Sequence, residues 1–232
     1  NKITIPKDEW GLLKESHSKE DLINTLSNTI ESENIKLPLV DISYDDAKND
    51  FIDLVNYQPQ GLLEGNTYTR YDYEYPLSRF YFDSPVIGNK SSNYFQQFNR
   101  WKCDSINAPS PYRTWNNHKF RCSMLGALFT LKCEEVNEQT FRTLIALRKY
   151  IASQFKPSLA KEIYTHFNSK HVLDFSSGWG DRLAGAFATP NVKSYTGIDP
   201  NFVLQEKYLE QTHLYKNIVG HKIYHFMCAC AE

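Results

Sequence analysis

The sequence predicts an α/β protein in which a mostly helical α+β accessory region precedes an incomplete parallel sheet. Residues 172–175 form a short strand-like run whose side chains are apolar except for Asp174, and a turn with two glycines and a helix start at Asp181 follow it. A second strand-like run ends in Asp199, and a third occupies residues 222–232. Strands that alternate with helices in this way are typical of βαβ units, whose strands pair in parallel.

The turn after the first of these strands has the geometry of a nucleotide-cofactor pocket. Gly178 and Gly180 lack a Cβ, so the backbone can adopt positive φ and approach a ligand closely. We therefore expect a larger side chain at either position to fill the pocket. Asp199 follows Gly180 by about 20 residues, which is the spacing of a carboxylate that binds ribose hydroxyls.

Two cofactor classes share this geometry, and phosphate content separates them. A dinucleotide requires a third glycine near its pyrophosphate, where this chain has Leu183. The acidic Asp181 at the helix start would also repel a phosphate group. S-adenosylmethionine carries no phosphate, so the sequence favours it over NAD and favours a methyltransferase over a dehydrogenase.

The run Asp174-x-x-x-Gly178-x-Gly180 resembles motif I of the class I S-adenosylmethionine-dependent methyltransferases, and Asp199 is similar to their ribose-binding acid. Residues 174–183 are also similar to amino-methyltransferases of nucleic-acid bases, particularly phage and large-virus enzymes with a Gly-Trp-Gly core. The resemblance implies a Rossmann-like half-domain in which Asp174 helps to hold the methionine end of the cofactor. The cofactor-binding residues expected on this basis are Phe155, Pro157, Ser158, Asp174, Ser176, Ser177, Gly178, Gly180, Asp199, Pro200 and Glu232.

The same resemblance implies methyl transfer to an exocyclic amine of a nucleic-acid base, in DNA rather than RNA. The catalytic Asp/Asn-Pro-Pro-aromatic motif of such enzymes does not occur in these residues. Three strands after residue 166 would also leave an apolar sheet edge open. We therefore expect the chain to be a fragment that a C-terminal segment or a second chain completes. The alternative is a non-catalytic scaffold subunit that binds S-adenosylmethionine or nucleic acid.

Charge is distributed unevenly, although the formal net charge is only −1. Residues 1–99 carry an excess of acids, and residues 100–170 carry an excess of bases. Apolar spacing predicts a helix over residues 138–155, and Arg142, Lys149 and Lys156 recur beside it at heptad spacing. These cations are the expected contacts to nucleic-acid phosphates. A solvated helix face is the alternative that the charges leave open.

Local patterns predict further elements and the domain division. Helices are expected over residues 19–32 and 44–55, and a third over 159–167 with Ser158 as its N-cap. The dense aromatic residues between 68 and 101 favour core packing over base stacking. The sequence thus predicts an accessory, substrate-recognition region at 1–155 and an S-adenosylmethionine-binding region at 156–232.

The cysteine content and the hydropathy of the sequence indicate the cellular location that we expect for the protein. Five cysteines, an odd number, favour reduced thiols and hence a cytoplasmic or nuclear location. His221 and His225 share one face of a predicted strand, whereas Cys228 and Cys230 share the other, so we expect no metal site there. The sequence contains no apolar run long enough to span a membrane, and we expect no membrane partner.

Overall fold

The computed structural model describes residues 1–59, 67–69, 78–80, 85–148 and 151–230. These residues form a mixed α/β structure with a three-stranded parallel sheet. The described helices are α1 (Lys7–Ser16), α2 (Lys19–Ser32), α3 (Tyr44–Asn56), α4 (Asn89–Lys102), α5 (Pro111–Asn116), α6 (His118–Leu125), α7 (Ala127–Thr130), α8 (Glu138–Arg148), α9 (Pro157–His166), α10 (Asp181–Ala188) and α11 (Val203–Val219). The described strands are β1 (Thr67–Thr69), β2 (Ser78–Phe80), β3 (His171–Asp174), β4 (Ser194–Ile198) and β5 (Ile223–Met227).

The chain divides into two compact units, each built from two segments. The first unit comprises Asn1–Asp41 and Phe98–Ala152, and the second comprises Ile42–Gln97 and Ser153–Glu232. This division differs from a single boundary near residue 155, because Ile42–Gln97 belongs with the C-terminal segment. The reason is long-range packing, since the ring of Phe51 stacks on Tyr215 with 4.1 Å between ring centroids.

The first unit is helical and has its own apolar core. Side chains from α1, α2, α6, α7 and α8 bury Trp10, Ile30 and Leu128. Trp115 also lies in this core, and its indole N–H donates to the carbonyl of Ile35 over 2.8 Å. The indole N–H groups of the two buried tryptophans, Trp10 and Trp115, both donate to backbone carbonyls, because a buried donor needs a hydrogen-bond partner.

The second unit contains the parallel sheet in the order β3–β4–β5. Asp174 pairs with Gly197, so the carboxyl ends of β3 and β4 meet at one edge. Tyr195 and Phe226 face the helices and pack in the core, whereas Leu173 and Met227 on the other face are 65% and 50% exposed. One face of the sheet is therefore covered by helices, and the opposite face presents apolar side chains to solvent.

The predicted helices differ in how well they match the structure. The helices expected over residues 19–32 and 44–55 are confirmed as α2 and α3, and each begins at a serine N-cap whose hydroxyl accepts a backbone N–H. The helix expected over 138–155 is confirmed over Glu138–Arg148 and is wrong over residues 151–155, which are not helical. Ser158 as an N-cap is also wrong, since α9 begins at Pro157 and Lys156 occupies the cap position.

Two other expectations concern the aromatic run and segments that could span a membrane. Most of the aromatic run between residues 68 and 82 lies outside the described residues. Within the described part of the chain, every helix is too short or too polar to traverse a lipid bilayer.

Candidate cofactor site

The turn after β3 holds two glycines in the left-handed region, with φ of +55° at Gly178 and +76° at Gly180. A Cβ on Gly178 would find only the Ser176 carbonyl, at 3.7 Å, so the space beside it is open. A Cβ on Gly180 would instead overlap the side-chain amide of Gln211. Gly178 therefore leaves room for a ligand, whereas a side chain at Gly180 would displace the Gln211 amide of α11. The expectation that a side chain at Gly180 would fill the pocket is thus corrected.

Asp199 directly follows β4 and lies beside this turn. Its Oδ2 accepts a hydrogen bond from the backbone N–H of Gly178 over 2.9 Å. Its Oδ1 accepts from the N–H of Asn201 over the same distance, 2.9 Å. These bonds fix the carboxylate at the sheet edge next to the open space at Gly178, where it can accept hydrogen bonds from a ligand hydroxyl.

Tyr208 of α11 contacts the same turn. Its hydroxyl donates to the carbonyl of Gly178 over 2.5 Å, and its side chain is buried. Both backbone polar groups of Gly178 are therefore bonded, one to Asp199 and one to Tyr208. The sequence gives no local signal for this contact, because Tyr208 lies in a different element from the turn.

Asp174, at the end of β3, is buried, and both of its carboxylate oxygens accept hydrogen bonds. Arg182 donates to both carboxylate oxygens, over 2.8 Å to Oδ2 and 3.1 Å to Oδ1. The hydroxyl of Tyr195 donates to Oδ2 over 2.7 Å. Burial raises the pKa of Tyr195 well above its usual value, and the charge of Asp174 acts in the same direction. An ammonium group of a ligand would have to share Asp174 with Arg182.

Residues 153–155 form one wall of a small pocket at the turn. The indole N–H of Trp179 donates to the Ser153 carbonyl over 3.0 Å. The side-chain amide of Gln154 donates to Asp181 over 2.9 Å. The pocket has a volume of about 240 Å³, and it is lined by Ser153, Gln154, Phe155, Ser176, Ser177, Gly178, Trp179, Asp181 and Arg182.

Arg182 forms the polar part of this pocket. Its guanidinium carbon lies 5.3 Å from the ring centroid of Phe155, in cation–π geometry. Burial opposes its charge, but the hydrogen bonds and charge of Asp174 outweigh that effect and raise the pKa of Arg182. Gln154 and Asp181 were not expected as site residues. These side chains meet at the pocket because residues 151–156 are not helical. The sequence does not indicate this, since its apolar residues keep helical spacing up to Phe155.

The remaining expected cofactor residues lie elsewhere. Pro157 and Ser158 are buried within α9, and the Ser158 hydroxyl donates to the Pro85 carbonyl. Pro200 is exposed beside Asp199 and does not line the pocket. Glu232 lies outside the described residues. Of the eleven residues expected, Phe155, Ser176, Ser177 and Gly178 line the pocket, and Asp174 and Asp199 are bonded to its walls.

The structure does not bring the three predicted phosphate-binding residues onto one helix. Arg142 lies on α8 of the first unit, where its guanidinium donates to the side chain of Gln139 over 3.1 Å. Lys156 is the N-cap of α9 in the second unit. Lys149 lies outside the described residues.

Comparison of the chain with protein-family models, with curated proteins and with solved structures gave no significant match. The functional argument therefore depends on the geometry of the turn, the pocket and the surrounding side chains.

Proposed function

We propose that this chain carries the cofactor-binding part of a Rossmann-like, class I S-adenosylmethionine-dependent methyltransferase. The acceptor that we propose is an exocyclic amine of a nucleic-acid base, in DNA rather than RNA. The observation that carries the cofactor assignment is the bond from Gly178 N–H to the Asp199 carboxylate at adjoining strand ends. An acid of the kind that binds ribose hydroxyls thus lies beside a turn with open space at Gly178, and this arrangement supports the proposal.

The environment of α10 favours a cofactor without phosphate. Asp181 is the first residue of α10, is buried, and accepts a hydrogen bond from Gln154. A carboxylate at a helix N-terminus neutralises the site where a pyrophosphate would otherwise bind. Leu183, at the position of a third glycine, is fully buried in the core. NAD is therefore the weaker candidate.

Arg182 gives the methionine end of the cofactor a binding partner. Its guanidinium is in the pocket wall, and one planar cation can bond a second carboxylate besides Asp174. In this proposal Asp174 orients Arg182, and Arg182 binds the methionine carboxylate. The bound cofactor supplies the activated methyl group, while the side chains of the chain position it for transfer.

A thermal-shift comparison tests the cofactor assignment. S-adenosylhomocysteine should raise the melting temperature because a ligand of the native state stabilises it by mass action, and NAD should not. Asp199→Ala should weaken binding by about 1–3 kcal/mol through loss of a charged hydrogen-bond acceptor. An equal shift with NAD, or an unaltered shift in Asp199→Ala, would remove the assignment.

A non-catalytic S-adenosylmethionine-binding scaffold is the second candidate. The observation that favours it is that these residues contain no Asp/Asn-Pro-Pro-aromatic motif, the catalytic motif of the base amino-methyltransferases that the chain resembles. Radiolabelled methyl transfer to mixed DNA and RNA separates the two functions. Cofactor binding without any transfer by the intact protein would favour the scaffold.

A further inference from the structure

The first unit has two adjoining grooves that are separate from the cofactor site. One groove, of about 290 Å³, lies between residues 34–39 and the rings of Phe98 and Tyr112. The other, of about 450 Å³, is lined by Lys102, Ser110 and Arg113. Tyr112 and Asn116 line both grooves. The two grooves therefore form one tract with the Tyr112 ring at its centre, which we call the Tyr112 tract.

The aromatic rings in the Tyr112 tract are partly open to solvent. Phe98 and Tyr112 are 43% and 38% exposed, and their rings meet edge to face with centroids 5.7 Å apart. The Lys102 ammonium lies 4.5 Å from the Phe98 centroid and 4.9 Å from the Tyr112 centroid. Half-exposed rings of this kind offer planar surfaces on which an unpaired base can stack.

The chain segment that supplies Phe98, Lys102 and Tyr112 has more bases than acids. Between Phe98 and Cys133 the sequence has Arg100, Lys102, Arg113, Lys119, Arg121 and Lys132, and the sole acid in that stretch is Asp104. The ion pairs among the described residues include neither Lys102 nor Arg113. The Arg113 guanidinium carbon lies 5.6 Å from the Phe120 ring centroid, and its charge helps to lower the pKa of Asp104. Both cations carry several N–H donors, with which they can also contact an anionic ligand.

Asp104 lines the second groove, but its carboxylate has a structural role. Its Oδ1 accepts the backbone N–H of Ser110 over 2.6 Å, and this bond is the main reason that the pKa of Asp104 is below its usual range. Ser110 in turn caps α5 by accepting the N–H of Arg113. Asp104 therefore fixes the loop that presents Tyr112 and Arg113.

We propose that the Tyr112 tract binds single-stranded nucleic acid. Unpaired bases stack on Tyr112 and Phe98, and Lys102 and Arg113 contact the phosphates. The side-chain amide of Asn34 can bond base edges, and so can the amide oxygen of Asn116, whose nitrogen donates to the Tyr112 carbonyl over 2.8 Å. This inference rests on the nucleic-acid acceptor of the proposed function and locates its binding surface. A duplex hides its base faces, and an acidic peptide would leave the rings unused, so both fit the tract less well.

Fluorescence anisotropy with labelled oligonucleotides of about 12 nucleotides tests the inference on the full chain. We expect tighter binding to single strands than to a duplex of the same sequence. Tyr112→Ala should weaken single-strand binding about tenfold or more, whereas Tyr112→Phe should retain it. Lys102→Gln should reduce the log–log salt slope by about 0.7, the value for one phosphate of a single strand.

A matched control is Lys14→Gln, because Lys14 also lies over an aromatic ring, that of Trp10 at 5.8 Å, but does not line the tract. It should bind as the wild type does. Binding of the duplex with equal or higher affinity, an unaltered affinity in Tyr112→Ala, or equal displacement of the oligonucleotide by polyglutamate would overturn the inference.

Measurement of cofactor binding by the same variant distinguishes this inference from the proposed function. Tyr112→Ala should keep the wild-type melting temperature shift with S-adenosylhomocysteine, which also shows that the variant is folded. Single-strand binding that depends on Tyr112 in a protein with no such shift would support the tract and refute the cofactor assignment. A shift with no oligonucleotide binding at low salt would refute the tract alone.

Discussion

At the scale of single residues, the buried carboxylate of Asp174 organises the candidate site. It receives hydrogen bonds from two nitrogens of Arg182 and from the hydroxyl of Tyr195. A buried charge without such partners would cost several kcal/mol, so the acid and its donors stabilise one another. The same contacts hold the Arg182 guanidinium at the pocket wall, which links the stability of the turn to its capacity to bind a ligand.

A double-mutant cycle on Asp174 and Arg182 measures this coupling. Arg182→Gln leaves the buried acid without its cation, so we expect the free energy of unfolding to fall by about 2–4 kcal/mol. Asp174→Asn should be destabilising too, and the double variant should recover about 1–3 kcal/mol of the summed losses. Urea denaturation of the four proteins gives the values. Strictly additive losses would show that the pair is not coupled.

The two turn glycines should respond differently to alanine. Gly178→Ala introduces only the left-handed backbone cost of about 1 kcal/mol. Gly180→Ala adds an overlap with Gln211, so its loss of unfolding free energy should be greater by about 1–3 kcal/mol. In a Gln211→Ala background the two substitutions should cost similar amounts. If Gly180→Ala remained the costlier change there, the overlap would not be its cause.

At the scale of elements, a buried lysine joins α3 to α9. The Lys161 ammonium donates to the carbonyls of Leu54, Val55 and Tyr57 over 3.0, 2.8 and 2.7 Å. These carbonyls belong to the last turn of α3 and its C-cap, where backbone acceptors lack partners within the helix. A cation at this end also interacts favourably with the helix dipole. Lys161 therefore holds Ile42–Gln97 within the second unit.

Lys161→Met should lower the free energy of unfolding by about 2–3 kcal/mol, because it removes three hydrogen bonds to buried carbonyls. Lys207→Met is the control, since Lys207 pairs with Glu210 on the surface of α11 and such pairs contribute about 0–1 kcal/mol. Chemical denaturation compares the two variants. Equal losses would contradict a structural role for Lys161.

The elements that the sequence predicts well are those with local determinants. α2 begins after Ser18 and α3 after Ser43, and both serines are strong N-caps visible in the sequence. The position of Asp199 beside the turn follows from strand spacing alone. The wall at residues 153–155 and the membership of α3 in the second unit depend on distant side chains, so no local pattern indicates them.

At the scale of the whole molecule, the second unit is rich in buried tyrosine. Tyr195, Tyr208 and Tyr215 are all almost inaccessible to solvent. Burial raises the pKa of each, and that of Tyr215 reaches about 12. Their hydroxyls bond Asp174, the carbonyl of Gly178 and Ser91. The native contacts of the sheet and of the turn therefore use the protonated, neutral form of these tyrosines.

These raised pKa values predict a loss of stability in alkali. The unfolded chain releases tyrosine protons near pH ~10, whereas the folded chain retains them. The free energy of unfolding should thus keep this contribution below pH ~10 and lose it as the pH rises towards the folded pKa. Burial also lowers the pKa of Lys222 to about 8, which has the opposite effect between that pH and ~10.5, so variants are compared with the wild type.

Tyr208→Phe tests this expectation, with Tyr44→Phe as a control at a 47% exposed position. Between pH ~10 and ~12 the unfolding free energy of Tyr208→Phe should fall less steeply than that of the wild type, and Tyr44→Phe should follow the wild type. Urea denaturation across this range supplies the slopes. The same slope in all three proteins would contradict a protected Tyr208.

Isothermal titration of S-adenosylhomocysteine into the wild type, Gly178→Val and Gly220→Ala tests the central claim most directly. Gly178 and Gly220 both have positive φ with open space beside them, but only Gly178 lies at the pocket. We predict binding by the wild type and by Gly220→Ala, and no binding by Gly178→Val, because its side chain would occupy the cofactor space. Absence of binding by the wild type, or undiminished binding by Gly178→Val, would contradict the assignment of this turn as an S-adenosylmethionine site.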